Sequence, residues 1–226
     1  MYSKIVEIDV RGLLGSLDLT WHLTQGVNIL AGGNGTGKST LLRAVAHKLR
    51  TGQMDELCSM LMNDLQIQTT EGPEIEVLTN FDEKELSDGD FLFDGVDADQ
   101  KIVFYNTLDR LFHRSGKHAL RGSGVGGSSF LLGLIEIPFR ALSSGERHIF
   151  RLLYNILTAP RASVLILDEP EISLQIDWQK VLLEDILKLN PNLQILLATH
   201  SPAIVMNGWV DCVSEISSLA ITTPKI

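Results

Sequence analysis

Gly32-Gly33-Asn34-Gly35-Thr36-Gly37-Lys38-Ser39 matches G-x-x-x-x-G-K-[ST] in full and lies between the apolar run Val27–Leu30 and the apolar-periodic stretch Thr40–Leu49. A strand, a glycine-rich turn and a helix in that order make a phosphate cradle. The turn aims successive backbone N–H groups into one concavity, and the following helix adds the positive end of its dipole. Asn34, Gly35, Thr36, Gly37, Lys38, Ser39 and Thr40 are the predicted phosphate-binding residues. Lys38 is expected to reach the β- and γ-phosphates and the Ser39 hydroxyl to ligate Mg²⁺.

A second stretch, Val164-Leu165-Ile166-Leu167-Asp168-Glu169-Pro170, feeds four apolar residues directly into two carboxylates. That pattern predicts a buried parallel strand ending at a site. Asp168, at the carboxyl end, is placed to hold Mg²⁺, and Glu169 to polarise an attacking water. In a third stretch, Ser143, Ser144 and Gly145 precede the helical pattern Ile149, Leu152, Leu153, Ile156. A helix start with unpaired N–H groups and hydroxyls suits a phosphate, although the same residues also make an ordinary cap.

Leu142-Ser143-Ser144-Gly145-Glu146-Arg147 resembles the LSGGQ/E signature of ATP-binding-cassette (ABC) ATPases, with serine in place of the first glycine. Ser143 comes 25 residues before Asp168, and His200 follows Asp168 by 32. Phosphate loop, signature, acidic strand and histidine stand in the order of an ABC-type nucleotide-binding domain. The run Asp168-Glu169-Pro170-Glu171-Ile172-Ser173-Leu174, with Ala198-Thr199-His200-Ser201-Pro202, is similar to the soluble SMC/RecF-like and AAA-21/OLD-type ATPases. Transporters usually read DEPT/S there. Relatives of that kind include the ATPases of overcoming-lysogenization-defect nucleases and of bacterial anti-phage systems.

The resemblance implies an α/β P-loop NTPase fold with a mixed central sheet, an antiparallel β arm lobe and a small helical lobe. It implies one ABC-type ATPase domain over residues 1–226, with arm and helical lobe inserted at about 51–140. ATP and Mg²⁺ are the implied cofactors, Glu169 and His200 the implied catalytic residues, with His200 as the switch histidine on the γ-phosphate. Two chains are implied to form a head-to-tail homodimer, in which Ser143, Ser144, Gly145 and Glu146 of one cap the nucleotide held by the other. The expected function is an Mg-ATP hydrolase that switches a partner protein such as a nuclease, toxin or DNA-processing factor, with DNA as a further candidate partner. The alternatives are the energising subunit of a membrane transporter and a nucleotide-gated scaffold. No glutamine stands where a Q-loop is expected, at the end of a strand predicted over Ile102–Tyr105. Asn106 and Gln100 are the candidate substitutes, and Arg11 is the candidate adenine contact.

At 226 residues and 44% hydrophobic, the chain suffices for one well-buried domain. It carries no apolar run of membrane-spanning length and no secretory signal pattern at Met1–Val10. Cys58 and Cys212 stand far apart, outside any C-x-x-C pattern, which predicts a reducing, cytoplasmic setting. The net charge of −9 is uneven: Asp64–Asp99 holds twelve acidic residues and one lysine, and Gln100–Arg140 balances at +4. Such a division repels nucleic acid at one face and tolerates it at another, and it is equally the pattern of a solvated surface.

Alternation over Ile5–Val10 and Leu17–Leu23 predicts two strands, and helices are expected over Ser39–Arg50, Met54–Leu65 and Ile176–Leu189. Further strands are expected at Ile75–Leu78 and Leu193–Ala198, followed by a short apolar run Val210–Ile216. Ser115–Gly133, with six glycines, reads as a mobile loop. Lys38 and Ser143 are 105 residues apart without sustained heptads, which leaves no room for the long coiled coil of SMC-type chromosome proteins.

Overall fold

The computed structural model describes residues 3–81, 93, 95–120, 129–159 and 163–221. The chain opens with β1 (Ile5–Leu13), β2 (Leu17–His22), β3 (Val27–Ala31), α1 (Lys38–Thr51), α2 (Glu56–Leu61), β4 (Asp64–Thr69) and β5 (Val77–Thr79). It continues through α3 (Ala98–Phe112), β6 (Lys117–Ala119), β7 (Ser129–Leu132), β8 (Ile135–Pro138) and α4 (Ser144–Thr158). It ends with β9 (Val164–Asp168), α5 (Ile176–Leu189), β10 (Gln194–Ala198), α6 (Pro202–Val205) and β11 (Val213–Glu215). These elements form two compact units, the first of residues 1–81, 161–170 and 192–226, the second of residues 82–160 and 171–191.

The first unit is built on a five-stranded sheet of order β11-β3-β10-β9-β5, parallel at every pairing. Its strands are near-continuous apolar runs because parallel strands are covered on both faces. In β10 all five residues are buried, and in β9 the four that precede Asp168. α1 packs on this sheet through Leu41, Leu42, Ala44, Val45 and Ala46. An antiparallel sheet of order β2-β1-β4 adds Ile8, Val10 and Trp21 to the same core. The buried Gln194 side chain stitches the two sheets: its Oε1 accepts from the Ile5 N–H at 2.8 Å, and its Nε2 donates to the Ile5 carbonyl at 2.8 Å. The mixture of strand directions expected of the central sheet is thus divided between sheets, one wholly parallel and one antiparallel.

The second unit packs α3, α4 and α5 together and carries the antiparallel sheet β6-β7-β8. Its core is aromatic: Phe150 lies 5.5 Å from Phe104, 5.6 Å from Phe130 and 5.2 Å from Phe139, ring centre to ring centre. Trp178 Nε1 donates to the Leu111 carbonyl at 2.9 Å, which gives the one polar atom of a buried indole its partner.

Three sequence expectations give way here. Ile102–Tyr105 is not a strand but the middle of α3, because Phe104, Leu108, Leu111 and Phe112 recur at helical spacing and are buried, a period that a four-residue apolar run cannot display. The helix expected over Met54–Leu65 is confined to α2, capped by Asp55. Leu57 stays 63% exposed and Leu65 enters the core from β4. The expected Ser115–Gly133 loop contains the paired strands β6 and β7, and its glycine-rich centre, residues 121–128, lies outside the described residues. The apolar run at Val210–Ile216 supplies a 3₁₀ turn and β11. Among the described residues no helix is long and apolar enough to cross a membrane.

Candidate functional site

A cavity of about 490 Å³ opens where β3 gives way to α1, lined by Asn34–Thr40 together with Leu14, Glu169 and His200. All of these belong to the first unit. The loop arches around Lys38, which is 4% exposed and donates from Nζ to the carbonyls of Gly32 and Gly33 at 2.9 Å each. Thr36 Oγ1 closes the turn by donating to the Gly33 carbonyl at 2.9 Å. α1 starts at Gly37, in the left-handed region at φ 93°, with no side-chain cap and no acidic residue in its first turn. Its first N–H groups therefore find no acceptor in a cap side chain, and the helix dipole puts positive charge at this end.

β9 brings its terminal carboxylates to this loop. Ser39 Oγ donates to Asp168 Oδ1 at 2.7 Å, and the other carboxylate oxygen stands 3.6 Å from Arg43 Nη2. The next residue, Glu169, is held at φ 47°, a left-handed conformation unusual for a glutamate. Its N–H donates to the Ala198 carbonyl at 2.8 Å, one further rung of the β9–β10 ladder, and the residue lines the cavity. His200, just past β10, places Nε2 3.6 Å from Glu169 Oε1. Hydroxyl and carboxylate oxygens side by side suit a small hard cation, and the polar wall beside them suits an oxyanion.

Sequence reasoning missed the residue that holds the backbone of Asp168. Asn80, just past β5, accepts from the Asp168 N–H at 2.8 Å and donates to the Asp168 carbonyl at 3.0 Å. Its amide mimics one rung of the ladder where β5 ceases to pair with β9. Phe81 follows, with the Arg43 guanidinium 5.4 Å above its ring. Asn80 ends a three-residue strand, too short to announce itself by alternation. Gln100 and Asn106, the residues considered for the equivalent place, both lie on α3 in the second unit, where Gln100 donates to the Leu189 carbonyl at 3.4 Å. Arg11 is likewise elsewhere: its guanidinium pairs with Asp9 at 3.1 Å and Asp18 at 3.8 Å, and Leu14 is the residue of that region in the cavity wall.

Ser143, Ser144, Gly145 and Glu146 sit in the second unit at the start of α4. Ser143 and Ser144 are exposed and Gly145 and Glu146 buried. Ser143 and Glu146 form a capping box, with the Glu146 N–H donating to Ser143 Oγ at 3.3 Å and the Ser143 N–H donating to Glu146 Oε2 at 2.7 Å. Lys117 Nζ and Ser115 Oγ complete the carboxylate's partners, each at 2.7 Å. Burial alone would raise its pKa, but the hydrogen bonds from Lys117, the Ser143 N–H and the two serine hydroxyls together hold it below the ordinary glutamate value. Glu146 is thus committed to its own unit. Gly145 is demanded by packing, because a Cβ there would run into the carbonyl oxygen of Ser173.

Comparison with known proteins agrees with this fold. Residues 103–207 match the model of the AAA_21 family, described as "AAA domain, putative AbiEii toxin, Type IV TA system". No curated protein sequence matches the chain. Among solved structures, an SMC head bound to the C-winged helix domain of ScpA superposes with a TM-score of 0.62 at 14% identity, covering 92% of each chain. A Pyrococcus furiosus protein, titled a putative ABC transporter (ATP-binding protein), gives 0.55 at 17% identity over 95% of this chain and 100% of its own. The Thermotoga maritima SMC head domain gives 0.51 at 12% identity over 90% and 92%. With a phosphate loop between β3 and α1 and two carboxylates at the end of β9, this chain has the P-loop fold of the SMC heads and the ABC ATP-binding protein to which it is similar.

Proposed function

We propose that the chain binds Mg-ATP in this cavity, hydrolyses it, and acts as a head-to-tail homodimer whose closure on ATP switches a partner protein. The observation that carries this reading is the bond from Ser39 Oγ to Asp168 at 2.7 Å, with Glu169 and His200 in the same wall. Ser39 and Asp168 would hold Mg²⁺, whose charge offsets the negative charge of the terminal phosphates. Residues 34–40 would bind the phosphates through backbone N–H groups and the Lys38 ammonium. Glu169 orients and polarises the attacking water, and His200 hydrogen-bonds the terminal phosphate. The exposed Ser143 and Ser144, at the start of α4, are offered to the nucleotide of a second copy.

The partner is a nuclease, toxin or DNA-processing protein of the cytoplasm. The toxin–antitoxin description of the matching family model and the ScpA-bound state of one SMC head support a partner-switching role. The test measures ATPase rate per molecule against protein concentration, for the wild type and for Glu169→Gln. The rate per molecule is expected to rise with concentration. Glu169→Gln is expected to turn over about a thousandfold more slowly while accumulating as an ATP-bound dimer. A constant rate per molecule, with a variant that stays monomeric in ATP, overturns the dimer mechanism. Copurification with a membrane-spanning subunit would favour the transporter reading instead.

A further inference from the structure

Ser39 and Arg43 stand four residues apart on α1, about one helical turn, and so share a face. That face takes hold of both oxygens of one carboxylate. Ser39 Oγ donates to Asp168 Oδ1 at 2.7 Å, while Arg43 Nη2 stands 3.6 Å from Asp168 Oδ2. The guanidinium is itself held, 5.4 Å from the centre of the Phe81 ring, and Phe81 packs against the core of the first unit. Arg50, further along α1, serves differently: it donates to the Val77 carbonyl at 3.4 Å and to the Thr79 hydroxyl at 3.3 Å, which ties the helix to β5. All of these residues belong to the first unit.

An ion pair of this kind adds little to folding. The Arg43 side chain is 60% exposed against 8% for Asp168, so water screens the attraction, and a long side chain loses freedom in making it. Its effect is on orientation: a planar guanidinium over an aromatic ring is a fixed fork, and it steadies the carboxylate whose other oxygen belongs to Ser39. Resting on the nucleotide reading above, we infer that Arg43 is a positioning residue for the Mg²⁺ site. It holds the outer oxygen of Asp168 and leaves Oδ1 with Ser39 Oγ, the pair assigned to the metal, and Phe81 acts through it. Partners that orient the ligands of a metal govern affinity for the ion, whereas an exposed guanidinium repels the ion only weakly through water.

Titration calorimetry of the full chain with the non-hydrolysable ATP analogue AMP-PNP, in Mg²⁺ and in EDTA, tests this through the ratio by which the metal tightens binding. Arg43→Met should lower that ratio about tenfold, with affinity in EDTA and melting temperature unchanged. Arg43→Lys should recover part of the loss, since the charge returns without the planar fork. Phe81→Leu should lower the ratio about threefold, and adding it to Arg43→Met should lower it no further, because the ring acts through the guanidinium. An unchanged ratio in Arg43→Met overturns the inference. So does a raised ratio, which would make the guanidinium a competitor of the metal, and so does equal weakening in Mg²⁺ and EDTA, which would put Arg43 on the phosphates or in the fold. Losses that add in the double variant overturn the part given to Phe81. A wild type that binds the analogue equally well in both conditions refutes the inference and leaves nucleotide binding standing. One that binds it in neither refutes the nucleotide reading as well.

Discussion

The helices α1 and α4 both begin beside a motif associated with phosphate, yet their first turns are built in opposite ways. α1 starts on Gly37 with no side chain accepting its N–H groups and no acidic residue in its first turn. α4 starts on Ser143 with a complete capping box and a buried carboxylate ringed by Lys117, Ser115 and the Ser143 N–H. The first is a helix end left open for an anion from outside; the second has supplied its own. A motif that names a helix start therefore says little until the partners of its N–H groups are known. On the proposed function, this contrast concentrates the chemistry at α1 and leaves α4 only exposed hydroxyls and backbone to offer a nucleotide.

The contrast breaks first at Lys38. Lys38→Ala should weaken Mg-ATP binding by at least about a hundredfold, because it removes the ammonium proposed to make charge-assisted hydrogen bonds to the phosphates. Titration calorimetry reads this directly, and retained affinity would mean that α1 is not the anion site. At α4 the expected loss is in stability. Glu146→Ala should lower the unfolding free energy by about 3 kcal/mol by stranding the Lys117 ammonium, with ATP affinity unchanged in the molecules that remain folded.

The same carboxylate sets a pH window. Its folded pKa lies below the ordinary 4.5, so its contribution is present above that value and lost as pH falls through the lower folded one. Melting curves at falling pH should show the wild type losing stability there and Glu146→Gln losing less. The smallest effect is at the cap: Ser143→Ala should cost about 1 kcal/mol and leave Mg-ATP affinity in the monomer unaltered. A large loss of affinity there would erase the distinction between the two helix starts.

Much of this contrast was legible from residues alone. The phosphate loop, β9 with its carboxylates, α1 and α5 stand where periodicity and motif put them, because each is long or bounded by strong local signals. The misread segments hold short elements, or an apolar run briefer than the helical period it belongs to. Ile102-Val103-Phe104-Tyr105 is β-branched and aromatic, the usual mark of a strand, but Leu108, Leu111 and Phe112 beyond it extend a buried helical stripe. Asn80 and Leu14 escaped notice for a different reason. Each matters through one long-range contact, to Asp168 across the sheet and to the cavity from a turn, and no local pattern encodes such a contact. The commitment of Glu146 was equally hidden, since Lys117 lies 29 residues away in the chain.

Gly145 carries a warning for genetics. With the Ser173 carbonyl occupying the space in which any side chain would start, even a methyl group at this position acts as a wedge between α4 and the segment leading into α5. A defective allele at Gly145 would look like a lost nucleotide contact while reporting a displaced backbone, and only its neighbours Ser143 and Ser144 can be altered without that confusion.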